Sequence, residues 1–358
     1  MRSADNKGSL AAVFVFVSLM VGAGFASGRE LLAFFGRFGM VAGVLGFLIS
    51  CIILVTVGRA VLVISRRAGV LDYAGFMSII FAKSKVLRAA VIVLVNIFIF
   101  IMMSVMFAGF GETLSTASGL TYSAGVVVIS GLCFIVFLFD IKGIVRVSAV
   151  LAPVLIIGGL VLGLYLTISS NANITENDAP LTSLASTARM GAVYASYNLL
   201  TGVAVLASLG KTLKNPDINK QTRRIALFSG GMIFVLGLVF LVPIINNIHT
   251  LGNAPLPLYV LVSNGHIALF YVYMAVFMAA IITTAVSSGF AVIEWLKSVT
   301  ERKIPHTIIN LIVTVGGLAF AHVGFATLID RVYPFFGYLG LFIIAAILWH
   351  WLFKIYVK

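Results

Sequence analysis

Charge is scarce in this chain. Only 10% of its 358 residues are Asp, Glu, Lys or Arg, and just 11 are acidic, against 61% hydrophobic residues. Soluble domains carry about a quarter of their residues as charges, so a water-soluble fold is excluded. With a mean hydropathy of +1.15, apolar runs long enough to cross a bilayer recur from end to end, and the lipid bilayer is the chain's first partner. Cysteine is scarcer still: Cys51 and Cys133 lie inside apolar runs with neither metal nor disulfide spacing, which leaves them to core packing. Five histidines show no metal spacing either. His249 and His266 fall in a loop, and His322 and His350 near span ends. Ser27, set among small residues, therefore lacks the base that an intramembrane serine hydrolase would need.

What the chain does have is glycine in an unusual place. The first apolar run contains Val21-Gly22-Ala23-Gly24-Phe25-Ala26-Ser27-Gly28, followed directly by Arg29 and Glu30. Each Gly costs a helix about 1 kcal/mol against Ala, so the first helix is expected to break here. In lipid, freed backbone groups are tolerated only when buried in protein or lining a watery cavity. A break at this depth therefore points to a site for a solute or an ion. The GxG spacing is no dinucleotide fingerprint, because no strand precedes it.

Ten spans can be drawn, at 9–36, 39–65, 86–111, 121–140, 144–168, 187–211, 224–246, 264–296, 304–324 and 331–354. Of the 24 Lys and Arg, all but Arg29, Arg37, Arg189 and Arg331 fall on the side that holds both termini. The positive-inside rule makes that side cytoplasmic. The net charge of +13 thus reports topology and not nucleic-acid binding. The polar loop Ser169 to Ser186, carrying the sequon Asn173-Ile174-Thr175, divides the chain into two sets of five spans. Five is odd, so the second set enters from the opposite side. The expectation is a single transmembrane domain over 1–358, all-α, built as a 5+5 inverted repeat of 9–168 and 187–354. The sixth span gathers Tyr194, Ser196, Tyr197, Asn198, Thr201 and Gly202, and its expected break near Asn198 would match the first.

The eighth span supplies oxygen. Ala280, Thr283 and Thr284 lie three and four apart, on one helix face. A sodium ion takes hard oxygen ligands. The Ala280 carbonyl and the Thr283 and Thr284 hydroxyls would give three, and the carbonyls of Ser18 and Val21, in the last turn before the break, two more. Thr hydroxyls in membrane helices also commonly bond back to the preceding turn. Beyond the break, the N–H groups of Ala23, Gly24 and Phe25 would suit a carboxylate.

The first-span motif Val21 to Glu30, the sixth-span Tyr194-Ala195-Ser196-Tyr197-Asn198 and the eighth-span Ala280-Ile281-Ile282-Thr283-Thr284 resemble the YkvI-like membrane proteins. That group is in turn similar to the amino acid, polyamine and organocation transporters with the leucine-transporter fold. The resemblance covers essentially the whole chain. It implies that first-span carbonyls three apart, an eighth-span carbonyl and two hydroxyls bind sodium, matched in residue type by Ser18, Val21, Ala280, Thr283 and Thr284. It also implies an outer gate between a first-span Arg and a tenth-span Asp, for which Arg29 and Asp330 stand. Arg29 is one residue further from the glycines than that pattern. Proton-coupled relatives often carry a fifth-span Lys near the ion site, whereas Lys142 and Arg146 lie at that span's cytoplasmic end. The reading is a sodium-coupled transporter of the cell membrane for a small amino-acid-like zwitterion, with Phe25, Tyr194 and Tyr197 closing over the solute. A proton-coupled permease and a non-transporting sensor of the same fold are the alternatives.

Overall fold

The computed structural model describes residues 2–69, 73–169, 184–213, 217–263, 265–301 and 303–355. The sequon at Asn173 to Thr175 lies outside them, as does the centre of the loop that carries it. The described residues are helical almost throughout, and no strand occurs among them. The first run is α1 (Arg2–Met20), α2 (Ala23–Ala26) and α3 (Arg29–Phe34), followed by a 3₁₀ turn at Gly36–Phe38. Then come α4 (Gly39–Ala68), α5 (Tyr73–Ile80), α6 (Lys85–Ser118), α7 (Tyr122–Leu138) and α8 (Asp140–Ser169). The second half has α9 (Leu184–Thr212), α10 (Ile218–Asn246), the short α11 (Ile248–Leu251) and α12 (Pro257–Ser263), then α13 (Ile267–Val299) and α14 (His306–Ala321). It ends with α15 (Phe325–Thr327), a π-helical turn at Leu328–Val332 and α16 (Tyr333–His350).

Six of these segments are long and apolar enough to cross a bilayer by themselves, and shorter apolar helices lie at Tyr122–Leu138, Ile157–Ser169 and His306–Ala321. With the interrupted α1–α3 run, the described helices follow the ten expected spans. Local chemistry sets several ends. Ser84, Thr121 and Asp217 each accept a bond from a backbone N–H of the first turn of α6, α7 and α10, satisfying donors that a helix start leaves open.

Two groups of helices form. In one, α4 packs on α9 and α10, and α1 lies against α10 and α9; in the other, α6, α7, α13 and α14 pack on one another. Small residues allow the tightest approach: a Cβ on Gly191 of α9 would stand 2.5 Å from the Gly46 carbonyl oxygen of α4, the close backbone contact that membrane helices use in place of a hydrophobic drive. The outer surface is apolar, with Val41, Ile52, Val127, Ile157, Ile312 and Phe342 exposed, as lipid contact requires.

The expected break in the first span is present. Val21 and Gly22 leave the helix between α1 and α2, and Gly28, at φ +78°, turns the chain again between α2 and α3. That left-handed conformation is one glycine adopts freely. The expected break in the sixth span is absent, which corrects the sequence reading: α9 runs unbroken through Asn198 and Gly202. The reason lies in local bonding. Asn198 donates its Nδ2 to the Tyr194 carbonyl at 3.0 Å, Thr201 donates to the Asn198 carbonyl at 3.0 Å, and Ser196 donates across to the Gly337 carbonyl of α16 at 2.7 Å. The polar side chains are satisfied against the helix or its neighbour, so none competes for the N–H groups that hold α9 together.

Candidate functional site

The interruption of the first span places the site. Val21 closes the last turn of α1 by donating to the Val17 carbonyl at 3.1 Å, and the next backbone bond, from Ala26 to the Gly22 carbonyl, belongs to α2. Between them the N–H groups of Ala23, Gly24 and Phe25 have no backbone partner among the described residues. All three residues are buried. Ser27 folds its hydroxyl back onto the Gly24 carbonyl at 2.9 Å and accepts from the Arg29 N–H at 3.1 Å, which fixes the corner into α3.

Thr284 of the eighth span faces this break. α2 packs on α13, and a Cβ on Gly22 would stand 3.6 Å from the Thr284 hydroxyl oxygen. Thr283 donates to the Ala279 carbonyl at 2.7 Å and reaches the Ala280 carbonyl at 3.2 Å, leaving its oxygen lone pairs open. Ser18 is exposed, with its hydroxyl turned to the Val15 carbonyl at 2.9 Å. The structure thus brings Gly22 and Thr284 together and leaves Ser18 on the open flank of α1.

The residues predicted to bind solute divide. Phe25 turns toward α10 and meets Phe240 edge-on at 5.9 Å. Asn198 is occupied by its own helix. Tyr194 and Tyr197 point toward α3, where Phe34 packs 5.3 Å and 5.4 Å from their rings. What they meet is a residue that the sequence reading quoted only as part of a motif, Glu30. Its Oε2 accepts the Tyr197 hydroxyl at 2.6 Å and lies 3.5 Å from the Tyr194 hydroxyl. On its other side, a Cβ on Gly24 would stand 2.0 Å from Oε1. Glu30 is 4% exposed. The signal was available: an acidic residue inside an apolar span is rare and costly, and so marks function by default.

Arg29, next in the chain, points the other way. Its Nε donates to Asp330 Oδ1 at 3.0 Å, its Nη2 pairs with Oδ2, and its Nη1 donates to the Ala254 carbonyl at 2.8 Å. The expected pairing of Arg29 with Asp330 is therefore made, despite the one-residue offset, because the Gly28 turn rotates α3 relative to α2. The Leu258 N–H donates to the Ser27 carbonyl at 3.0 Å, so the segment before α13 is tied over the same end of the first span.

The fold combines an interrupted first helix, a neighbouring helix with a hydroxyl at the interruption and two groups of packed helices, and solved structures of membrane transporters share it. Among solved structures, a Na+-coupled sialic acid symporter in a substrate-bound outward-open state superposes with a TM-score of 0.61 at 14% identity, covering 92% of this chain and 75% of that one. A manganese transporter from Eremococcus coleocola gives 0.61 at 14%, covering 95% and 78%. Mhp1, a nucleobase-cation-symport-1 family transporter, gives 0.54 at 15%, covering 95% and 75%. At these identities the likeness is one of fold.

Similarity in sequence is to particular proteins of Bacillus subtilis (strain 168). The membrane protein YkvI is 27% identical over 359 residues, spanning 96% of both chains. YyaD is 28% identical over 339 residues, spanning 94% of this chain and 95% of its own. No protein-family model matches the chain. The similar proteins of known structure are membrane transporters and not enzymes.

Proposed function

We propose that this chain is a sodium-coupled secondary transporter for a small amino-acid-like zwitterion, working by alternating access in the cell membrane with both termini cytoplasmic. The observation that carries the reading is the break at Val21–Gly22 set against Thr284. Carbonyls of Ser18, Val21 and Ala280 with the hydroxyls of Thr283 and Thr284 make an all-oxygen set suited to a hard monovalent ion. The unpaired N–H groups of Ala23, Gly24 and Phe25 offer donors to a carboxylate, with Tyr194, Tyr197 and Asn198 on the facing wall. A transition-metal cargo is the weaker reading, because the described residues hold no cluster of three or more His, Cys, Asp or Glu.

In this mechanism the repeats 9–168 and 187–354 are inverted copies, and the group of α1, α4, α9 and α10 rocks against α6, α7, α13 and α14. The Arg29–Asp330 pair closes the outer end. An exposed Ser18 on α1 fits a state that is shut outside and loosened toward the cytoplasm. A thermal-stability screen of amino acids with and without sodium tests the reading. One of them should stabilise the wild type more in sodium than in potassium, and Thr284→Ala should lose that difference while keeping the fold. A screen in which sodium and potassium give equal stabilisation for every solute would remove the ion site.

A further inference from the structure

The sodium and solute roles leave unassigned one buried acid of the first span, Glu30, which touches Gly24, Tyr194 and Tyr197. Glu30 is buried, its Oε2 holds the Tyr197 hydroxyl at 2.6 Å, and its Oε1 lies against the Gly24 backbone. Tyr197 is backed by Tyr333 at 4.9 Å and Phe98 at 6.2 Å between ring centroids, and the buried Tyr333 hydroxyl has no hydrogen-bond partner among the described residues. Among the described residues no cation pairs with the carboxyl. The Arg29 guanidinium is committed to Asp330 and the Ala254 carbonyl. The other ion pairs found among the described residues, Lys297–Glu294 and Lys303–Glu301, lie toward the opposite end of α13.

The titratable and charged groups around Glu30 come from every packed element. They are Arg29 on α3, Asp330 in the π-helical turn, Tyr194 and Tyr197 on α9, Tyr333 on α16, and Cys51 of α4 behind Tyr194. Among them Glu30 is the one carboxyl that no cation balances. A bare carboxylate removed from water without a counter-charge is strongly disfavoured. Oε2 takes the Tyr197 hydroxyl and Oε1 lies against Gly24, and a proton added there needs no further volume.

Glu30 and Arg29 share the six-residue helix α3, so the closure that pairs Arg29 with Asp330 also seals Glu30 in the core. From this we infer that Glu30 is a proton-binding site loaded on closure: shutting the Arg29–Asp330 end takes up one proton on the Glu30 carboxyl, and opening releases it. This deepens the transport reading, on which it rests for its role as a second coupling ion, but the proton step itself requires no solute.

The test measures closure directly in lipid nanodiscs, in a cysteine-free background carrying Cys51→Ala and Cys133→Ala that serves as the wild-type reference. Spin labels on Val41→Cys and Ala117→Cys report the distance across the gate end between pH 5 and pH 9. Infrared difference spectra over the same range report protonated carboxyl. The closed population should rise as pH falls, with the slope of one proton, alongside a carboxyl band that Glu30→Gln removes. Glu30→Gln should stay closed at every pH. Tyr197→Phe, which removes a donor that favours the charged form, should move the midpoint up by about one pH unit. A wild type whose closure ignores pH, or a Glu30→Gln variant that titrates like wild type, overturns the site. If Glu30→Gln does not fold, Tyr197→Phe decides, and a midpoint equal to that of wild type refutes it. Proton-linked closure in a protein that takes up no solute would uphold this site while sinking the transport reading.

Discussion

Adding one methyl group at Gly24 should break the first span's contact with the tyrosine wall. The new Cβ would stand 2.0 Å from Glu30 Oε1, 2.6 Å from Cδ and 2.8 Å from Cγ, so the carboxyl must retreat by roughly 1.5 Å to reach ordinary contact. It has nowhere to go, because Glu30 is 4% exposed and pinned by Tyr197. Overpacking of this kind costs about 1–3 kcal/mol, and loosening the Tyr197 bond about 1 kcal/mol more. The gain of Ala over Gly in the short α2 returns less than about 1 kcal/mol. The net is a loss of about 2–3 kcal/mol, or a fall of about 3–4 °C in the thermal midpoint of purified protein in nanodiscs, since the shift is the loss divided by an unfolding entropy that grows with chain length. In a Glu30→Ala background the three atoms nearest the methyl are gone, and Gly24→Ala should then cost under about 0.5 kcal/mol. A wild-type midpoint for Gly24→Ala, or the same loss in both backgrounds, would refute the contact on which the Glu30 site depends.

Other expectations follow from the same geometry. Asp330→Asn removes the partner of a buried Arg29 but leaves the Ala254 carbonyl bond; because the Asp330 side chain is 32% exposed, the effect should be about 1–2 kcal/mol. Read as the labelling rate of a cysteine placed at Ala254, that is roughly a 5- to 30-fold increase, and the swap Arg29→Asp with Asp330→Arg should recover part of it. Gly237→Ala should destabilise by about 1–3 kcal/mol, since a Cβ there would stand 2.0 Å from the Phe47 ring, and Phe47→Leu should relieve it. Asn198→Ala should keep the fold and the outer-end closure, because its amide makes only a bond within α9; loss of helix content in circular dichroism would show instead that Asn198 holds the helix.

How much of this was legible beforehand differs by element. The interruption at Val21–Gly22 could be read directly, since three glycines in eight residues disfavour a helix whatever surrounds them. The break expected near Asn198 does not form in α9, because Asn198 and Thr201 each return a hydrogen bond to the previous turn. Composition does not distinguish those outcomes; rotamers and neighbours do. Arg29 and Asp330 were paired in advance only through a resemblance, across an offset that the Gly28 turn absorbs.

The sequence by itself determined the membrane setting, the span count and the broken first helix, because hydropathy, charge placement and glycine's cost act along the chain and need no partner. The tertiary structure alone decided that adjacent charges at Arg29 and Glu30 part company, one to Asp330 and the other to Tyr197 in the core. Those contacts join residues 301 and 167 positions apart, and a local pattern carries no record of which distant side chain packing will bring within reach.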